Sequence, residues 1–163
     1  MGLDMYLERR IYIGSPDMRE HYFGKDHGKK IVIKVPMVRP EAVKSIVEEV
    51  CYWRKCNAIH KWFVDKVQDG KDECQESWVS TDQIIELYDL CRSLLKSKSK
   101  KRAASELPPQ EGFFFGSTDM DEYYWSDLEY TVKNLKPVIA MIKKETADKD
   151  SKIWIDYYYQ SSW

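Results

Sequence analysis

The chain of 163 residues carries 26 Lys and Arg against 27 Asp and Glu, a formal net charge of -1. A length of this order suits a single domain spanning the whole chain. By size scaling such a domain buries about 70% of the surface exposed on unfolding, so a core forms without staples. The charge balance excludes a dedicated binder of bulk nucleic acid or of an anionic membrane, because both need a basic excess.

Residues 3–13 alternate in polarity. Leu3, Met5, Leu7, Ile11 and Ile13 fall on one side with Arg9 as the exception, and Asp4, Tyr6, Glu8, Arg10 and Tyr12 fall on the other. This is the pattern of a half-buried strand. Gly14-Ser15-Pro16-Asp17 ends it as a turn, and residues 17–29 read as a polar loop. Lys30 to Val35 reads as a second strand closed by Pro36. Pro40 then opens a helix in which Val43, Ile46, Val47 and Val50 keep the i, i+3, i+4, i+7 rhythm until Cys51–Lys55 interrupts it. A further helix is expected from about Asn57 to Gln68, stopped by Asp69-Gly70.

Residues 71–79 form a polar loop or a short edge strand. Ser80 and Gln83 have the spacing of a capping box before a helix from about Thr81 to Lys96, with Ile84, Leu87, Tyr88, Cys91, Leu94 and Leu95 as its core line. The Ser- and Lys-rich run that follows reads as a flexible basic connection over about 96–106, solvated rather than phosphate-binding. Gly112 to Gly116 brackets a buried strand or a rigid turn, with Ser117, Thr118 or Asp119 able to cap the next helix. That helix runs from about Asp119 to Lys144 along Tyr124, Leu128, Thr131, Leu135, Val138 and Ile142, and Pro137 should kink or split it. Ile153 to Tyr159 is a strand by composition.

The sum is an α+β fold: a small, mainly antiparallel sheet that pairs the N- and C-terminal strands, with one face covered by about four helices. The other face would carry Tyr6, Tyr12, Trp154 and Tyr158 among charges. That is unusually aromatic for a solvent face, and points to cover by a loop or by a second subunit, the latter making the chain a homo-oligomer. The first ten residues leave no room for the apolar core of a signal peptide, and Tyr6 stands where a myristoylation motif wants Ser or Thr. No charge-free run is long enough to span a bilayer. The expectation is a cytoplasmic protein without a membrane partner. Cys51, Cys56 and His60 form a C-x4-C-x3-H spacing, but no second pair with finger spacing follows, so buried thiols are preferred to a metal site and no cofactor is expected.

Two segments concentrate chemistry. In Tyr52–Phe63, Arg54 and Lys55 precede a helix start, Asn57 is a suitable cap, His60 lies one turn along, and Trp53 offers a flat surface for a base. A helix N-terminus offers free N–H groups to an anion, and Arg54 adds bidentate phosphate contacts. In Gly112–Trp125, Gly116-Ser117-Thr118 forms a second possible anion cradle, or simply a capped turn, with Tyr124 as a stacking ring. No Walker loop, metalloprotease, hydrolase-elbow or deaminase motif is present. His60 with Asp119 or Asp121 could form an acid–base pair if the segments meet, and Cys56 with His60 a nucleophile and base.

The blocks MGLDMYL, YWRKCNAIHKWFV, GFFFGST followed by acidic residues and Tyr-Tyr, and the terminal YYQSSW resemble a family of small soluble proteins encoded by phages and prophages. The resemblance brings no settled activity and no catalytic residues. It implies a role against host defences, one route to which is tight binding of a nucleotide-derived immune signal. The expected function is therefore binding, without turnover, of a small phosphorylated or ADP-ribose-like nucleotide. Arg54, Lys55 and His60 would meet phosphate, Trp53 and Tyr124 would stack, and Asn57, Ser117 and Thr118 would hydrogen-bond. The alternatives are a nucleotide-processing enzyme using His60, and an inhibitor that docks on a host protein through the aromatic sheet face.

Overall fold

The structure is a computed structural model, and describes residues 2–12, 37–39, 42–113, 115–147 and 153–163. Four strands and four helices follow one another among them: β1 (Asp4–Tyr12), β2 (Ser45–Arg54), α1 (Asn57–Val67), β3 (Ser77–Val79), α2 (Thr81–Ser97), α3 (Lys100–Glu106), α4 (Glu122–Ala147) and β4 (Trp154–Ser162). The strands form one antiparallel sheet in the order β2-β1-β4-β3, so the two chain ends lie side by side at its centre. The α+β fold expected from the sequence is the fold observed. The strand expected at Lys30–Val35 and the loop at 17–29 lie outside the described residues.

The expected alternation is realised in burial from Leu3 to Leu7, residues 8–12 are half-buried, and Ile13 lies outside the described residues. Leu3, Met5 and Leu7 are fully buried, and Trp53 and Cys51 lie opposite Met5 and Leu7 on the neighbouring strand. Arg9, the one charge on that face, lies opposite Glu48 and donates to it at 2.7 Å and to Glu145 of α4 at 2.8 Å. A charge on the covered face persists because it is paired on both sides.

The helix expected after Pro40 is corrected to a strand: Ser45–Arg54 is β2, in register with the whole of β1. The helical rhythm of its valines arises from a β-bulge. Leu7 faces Cys51 while Glu8 faces Glu49, which leaves Val50 as the extra residue. An inserted residue shifts the phase of a two-residue alternation, so neither strand period is clean across it. Val47 accordingly points outward and is half exposed.

Two of the remaining elements depart from their local signals and the others follow them. Ser80 and Gln83 make the reciprocal capping box of α2. The expected edge strand is β3, and the run read as a flexible connection holds α3, capped by Ser99. Pro137 does not split α4, which is unbroken over 26 residues. Pro137 and Lys133 both face solvent, so the Lys133 carbonyl left without its N–H partner is open to water. The expected core line of α4, from Tyr124 to Ile142, is buried throughout.

The core lies between the sheet and the helices. Tyr159 of β4 stacks on Phe63 of α1, with centroids 3.9 Å apart and planes at 6°. The Trp53 indole N–H donates to Thr131 of α4 at 3.0 Å. No helix among the described residues is long and apolar enough to cross a membrane.

Candidate functional site

The turn between β2 and α1 holds the chain in an unusual conformation. Lys55 has φ 56°, in the left-handed region, and its N–H bonds the Leu3 carbonyl at 2.8 Å. This reverses the chain at the end of β2 and sends Arg54 and Lys55 into solvent. Asn57 is not the helix cap. Cys56 holds that position without a side-chain cap, and Asn57 is the first helical residue. Its amide instead donates to the carbonyls of Phe115 at 3.2 Å and Ser117 at 2.7 Å. These two bonds fasten the 112–118 turn against the start of α1.

That turn has its own constraints. The Phe115 N–H bonds the Gly112 carbonyl at 3.1 Å, closing a tight turn. The Phe115 ring lies over Gly112 so closely that a Cβ there would sit 2.5 Å from it. Gly116 has φ +90° and stands against Lys55, whose Cβ is 3.7 Å from the position a Gly116 side chain would take. Phe115 is buried as expected, Phe113 is exposed, and Phe114 lies outside the described residues. Asp121 caps α4, accepting from the N–H groups of Tyr123 at 2.9 Å and Tyr124 at 3.3 Å. The Ser117 hydroxyl accepts from the Asp119 N–H at 3.0 Å and closes a turn one step earlier.

The two segments therefore meet. Between them lies a cleft of about 280 Å³ lined by Arg54, Lys55, Asn57 and Ala58 on one side and by Gly116, Ser117, Asp119, Asp121, Tyr123, Tyr124 and Asp127 on the other. The Arg54 side chain is 64% exposed, with Asp4 3.9 Å away, a separation at which a solvent-exposed pair adds little. Tyr123, absent from the sequence-derived set, is 71% exposed and offers the cleft an accessible ring.

Four expected contacts are corrected. Trp53 is buried and its indole is bonded to Thr131, so its ring is not open to a ligand. His60 is fully buried away from the cleft. Its Nδ1 meets the Tyr159 hydroxyl at 2.7 Å and its Nε2 meets Asp72 at 2.9 Å, so both nitrogens are engaged. Tyr124 lines the cleft but is 5% exposed, and its hydroxyl donates to the Leu107 carbonyl at 2.9 Å. Thr118 is exposed and outside the lining.

The electrostatics are mixed. Asp127 is half-buried, and burial raises its carboxyl from an ordinary 3.8 to about 6 even though the Cys56 thiol hydrogen-bonds to it. Burial pushes the Cys56 thiol well above its usual range, so it is no thiolate nucleophile at neutral pH. Asp121 is engaged as a helix cap. Two outward cations thus face one exposed carboxylate, Asp119, and two restrained ones. Cys51, Cys56 and Cys91 are buried, and no group of three His, Cys, Asp or Glu placed to hold a metal occurs among the described residues. A scan against protein-family profiles finds no matching family, and searches of curated proteins and of solved structures find no match.

Proposed function

We propose that the protein binds a small phosphorylated nucleotide in this cleft and holds it without converting it. The observation that carries this reading is the convergence of Arg54 and Lys55 on the Gly116-Ser117 turn, with Tyr123 beside them, in one cavity. The two cations, with the Ser117 hydroxyl that still has its proton to donate, suit phosphate, the exposed ring suits a base, and Asp119 suits base amino groups or ribose hydroxyls. Inorganic phosphate alone would leave the carboxylates opposed to it. Holding rather than conversion is favoured because the two groups best suited to catalysis, His60 and Cys56, are withdrawn into the core. A phage protein with such a cleft would act by sequestering a nucleotide signal of host immunity.

The test is calorimetric titration with a panel of cyclic nucleotides and ADP-ribose derivatives, followed by heat release and mass spectrometry of the ligand. Arg54→Ala should weaken binding by at least tenfold. Lys55→Gly should do the same while leaving the fold at least as stable, because glycine relieves the positive φ that a side chain tolerates poorly. Return of an altered ligand would move the protein to the enzymes.

A second reading rests on the outer sheet face. Trp78 and Trp154 are both more than half exposed, and their indoles donate to the two oxygens of Asp156 at 3.0 and 2.9 Å. A pinned pair of exposed tryptophans is the kind of surface that anchors a protein partner or a second copy. On that reading Trp78→Ala and Trp154→Ala abolish capture of the partner and Arg54→Ala does not.

A further inference from the structure

We infer that the cleft is one lobe of a two-lobed site whose ligand carries two ring systems joined through phosphate. The inference rests on the nucleotide reading above and narrows it. A second cavity, of about 290 Å³, adjoins the first and is lined by Tyr52, Trp53, Arg54, Cys56, Ser126, Asp127 and Tyr130. Arg54 and Asp127 belong to both. Each cavity alone falls just below the usual range of small-molecule pockets, roughly 300–1,000 Å³, and the two together fall inside it.

The arrangement of groups follows the same division. Tyr123 stands in the first lobe at 71% exposure and Tyr130 in the second at 44%. They are seven residues apart on α4, so they share one helix face two turns apart, with about 10.5 Å of rise between them. One base does not reach both rings, whereas two nucleosides, or a nucleoside and a sugar, linked by phosphate do. Arg54 is the cation common to both lobes. A planar guanidinium that stays charged at any physiological pH, and donates in a fork, suits a linking phosphate or pyrophosphate. Lys55 lies in the first lobe only, where a second phosphate oxygen would extend.

The test titrates the full chain with three probes in adenine and guanine forms: a nucleoside monophosphate, a cyclic dinucleotide and a nucleoside-diphosphate ribose. The last two separate a second nucleoside from a second sugar. At least one two-ring probe should bind tenfold or more tighter than the monophosphate. Tyr130→Ala should remove that advantage and leave monophosphate affinity unchanged, while Tyr123→Ala weakens every probe. Circular dichroism of both variants checks that the fold is kept. If the monophosphate binds as tightly as the two-ring probes and Tyr130→Ala changes nothing, the second lobe is no part of the site and the single-cleft reading stands alone. If no probe shows binding sensitive to Arg54→Ala, the nucleotide reading itself falls.

Discussion

Asp127 sits where the two cavities meet, next to the Cys56 thiol, and is close enough to Asp121 to feel its charge. Burial is the leading cause of its raised pKa, with the thiol hydrogen bond opposing it. The folded chain therefore keeps this proton up to about pH 6, while the unfolded chain releases it near 3.8. Between those values the native state binds more protons than the unfolded state, so this group's contribution to stability declines as pH rises through the window and is level above it. Water screens part of the effect, leaving about 1 kcal/mol, or roughly 2–4 °C in Tm. Asp127→Asn keeps an acceptor for the thiol and removes the titration. Thermal melts from pH 4 to pH 7.5 should show the variant gaining on the parent chain across that window by this amount. Equal Tm differences at every pH would mean that Asp127 titrates normally in the folded chain.

The fate of β2 separates what the sequence reveals at the level of elements from what it hides. Strands with one clean alternation, such as β1, and helices with caps and an unbroken apolar line, such as α2 and α4, are legible because a local pattern and the tertiary fold agree. In β2 the bulge at Val50 breaks that agreement, and Ile46, Val47 and Val50, with Val43 just ahead of the strand, take on a helical spacing by accident. β-Branched content was the contrary signal: such side chains favour strands over helices. α3 was hidden for another reason, because a Lys- and Ser-rich turn of helix resembles a solvated linker. The strand makes its own prediction. Val47 faces outward, so Val47→Thr should change the urea midpoint by less than about 0.5 kcal/mol in free energy. An inward-facing helical Val47 would instead bury an unbonded hydroxyl and cost about 1–3 kcal/mol. A loss of that larger size would argue against the register of β1 and β2.

At the scale of the whole molecule, the candidate site was partly legible and the reasons divide by burial. Arg54, Lys55 and Ser117 line the cleft, and the sequence points to them because charges and small hydroxyls beside turns face solvent. His60 misled because the first half of α1 is buried on almost every side beyond the cleft-lining Asn57 and Ala58, and Trp53 because it lies on the covered face of β2. Tyr123 was missed because one step of phase separates it from the buried Tyr124. What brings the two segments together is long-range, and its keystone is β4. This strand pairs with β1 over nine positions and is the partner of β3. It also supplies Tyr157 and Tyr159 to the core, and the latter bonds His60. Removing residues 157–163 would strip one side of β1, leave β3 without a neighbour, and leave His60 buried with one partner lost. That chain should show no cooperative thermal transition and no near-ultraviolet circular dichroism. Removing Trp163 alone breaks the indole bond to Asp72 at 3.0 Å and the edge contact with Phe115, but spares both ladders. This shorter deletion should keep a cooperative transition and lower Tm by only a few degrees, at a cost on the order of 1 kcal/mol. If the longer truncation still melts cooperatively, the helices and β1–β2 hold the fold without the terminal strand, and the meeting of the two site segments does not depend on pairing the chain ends.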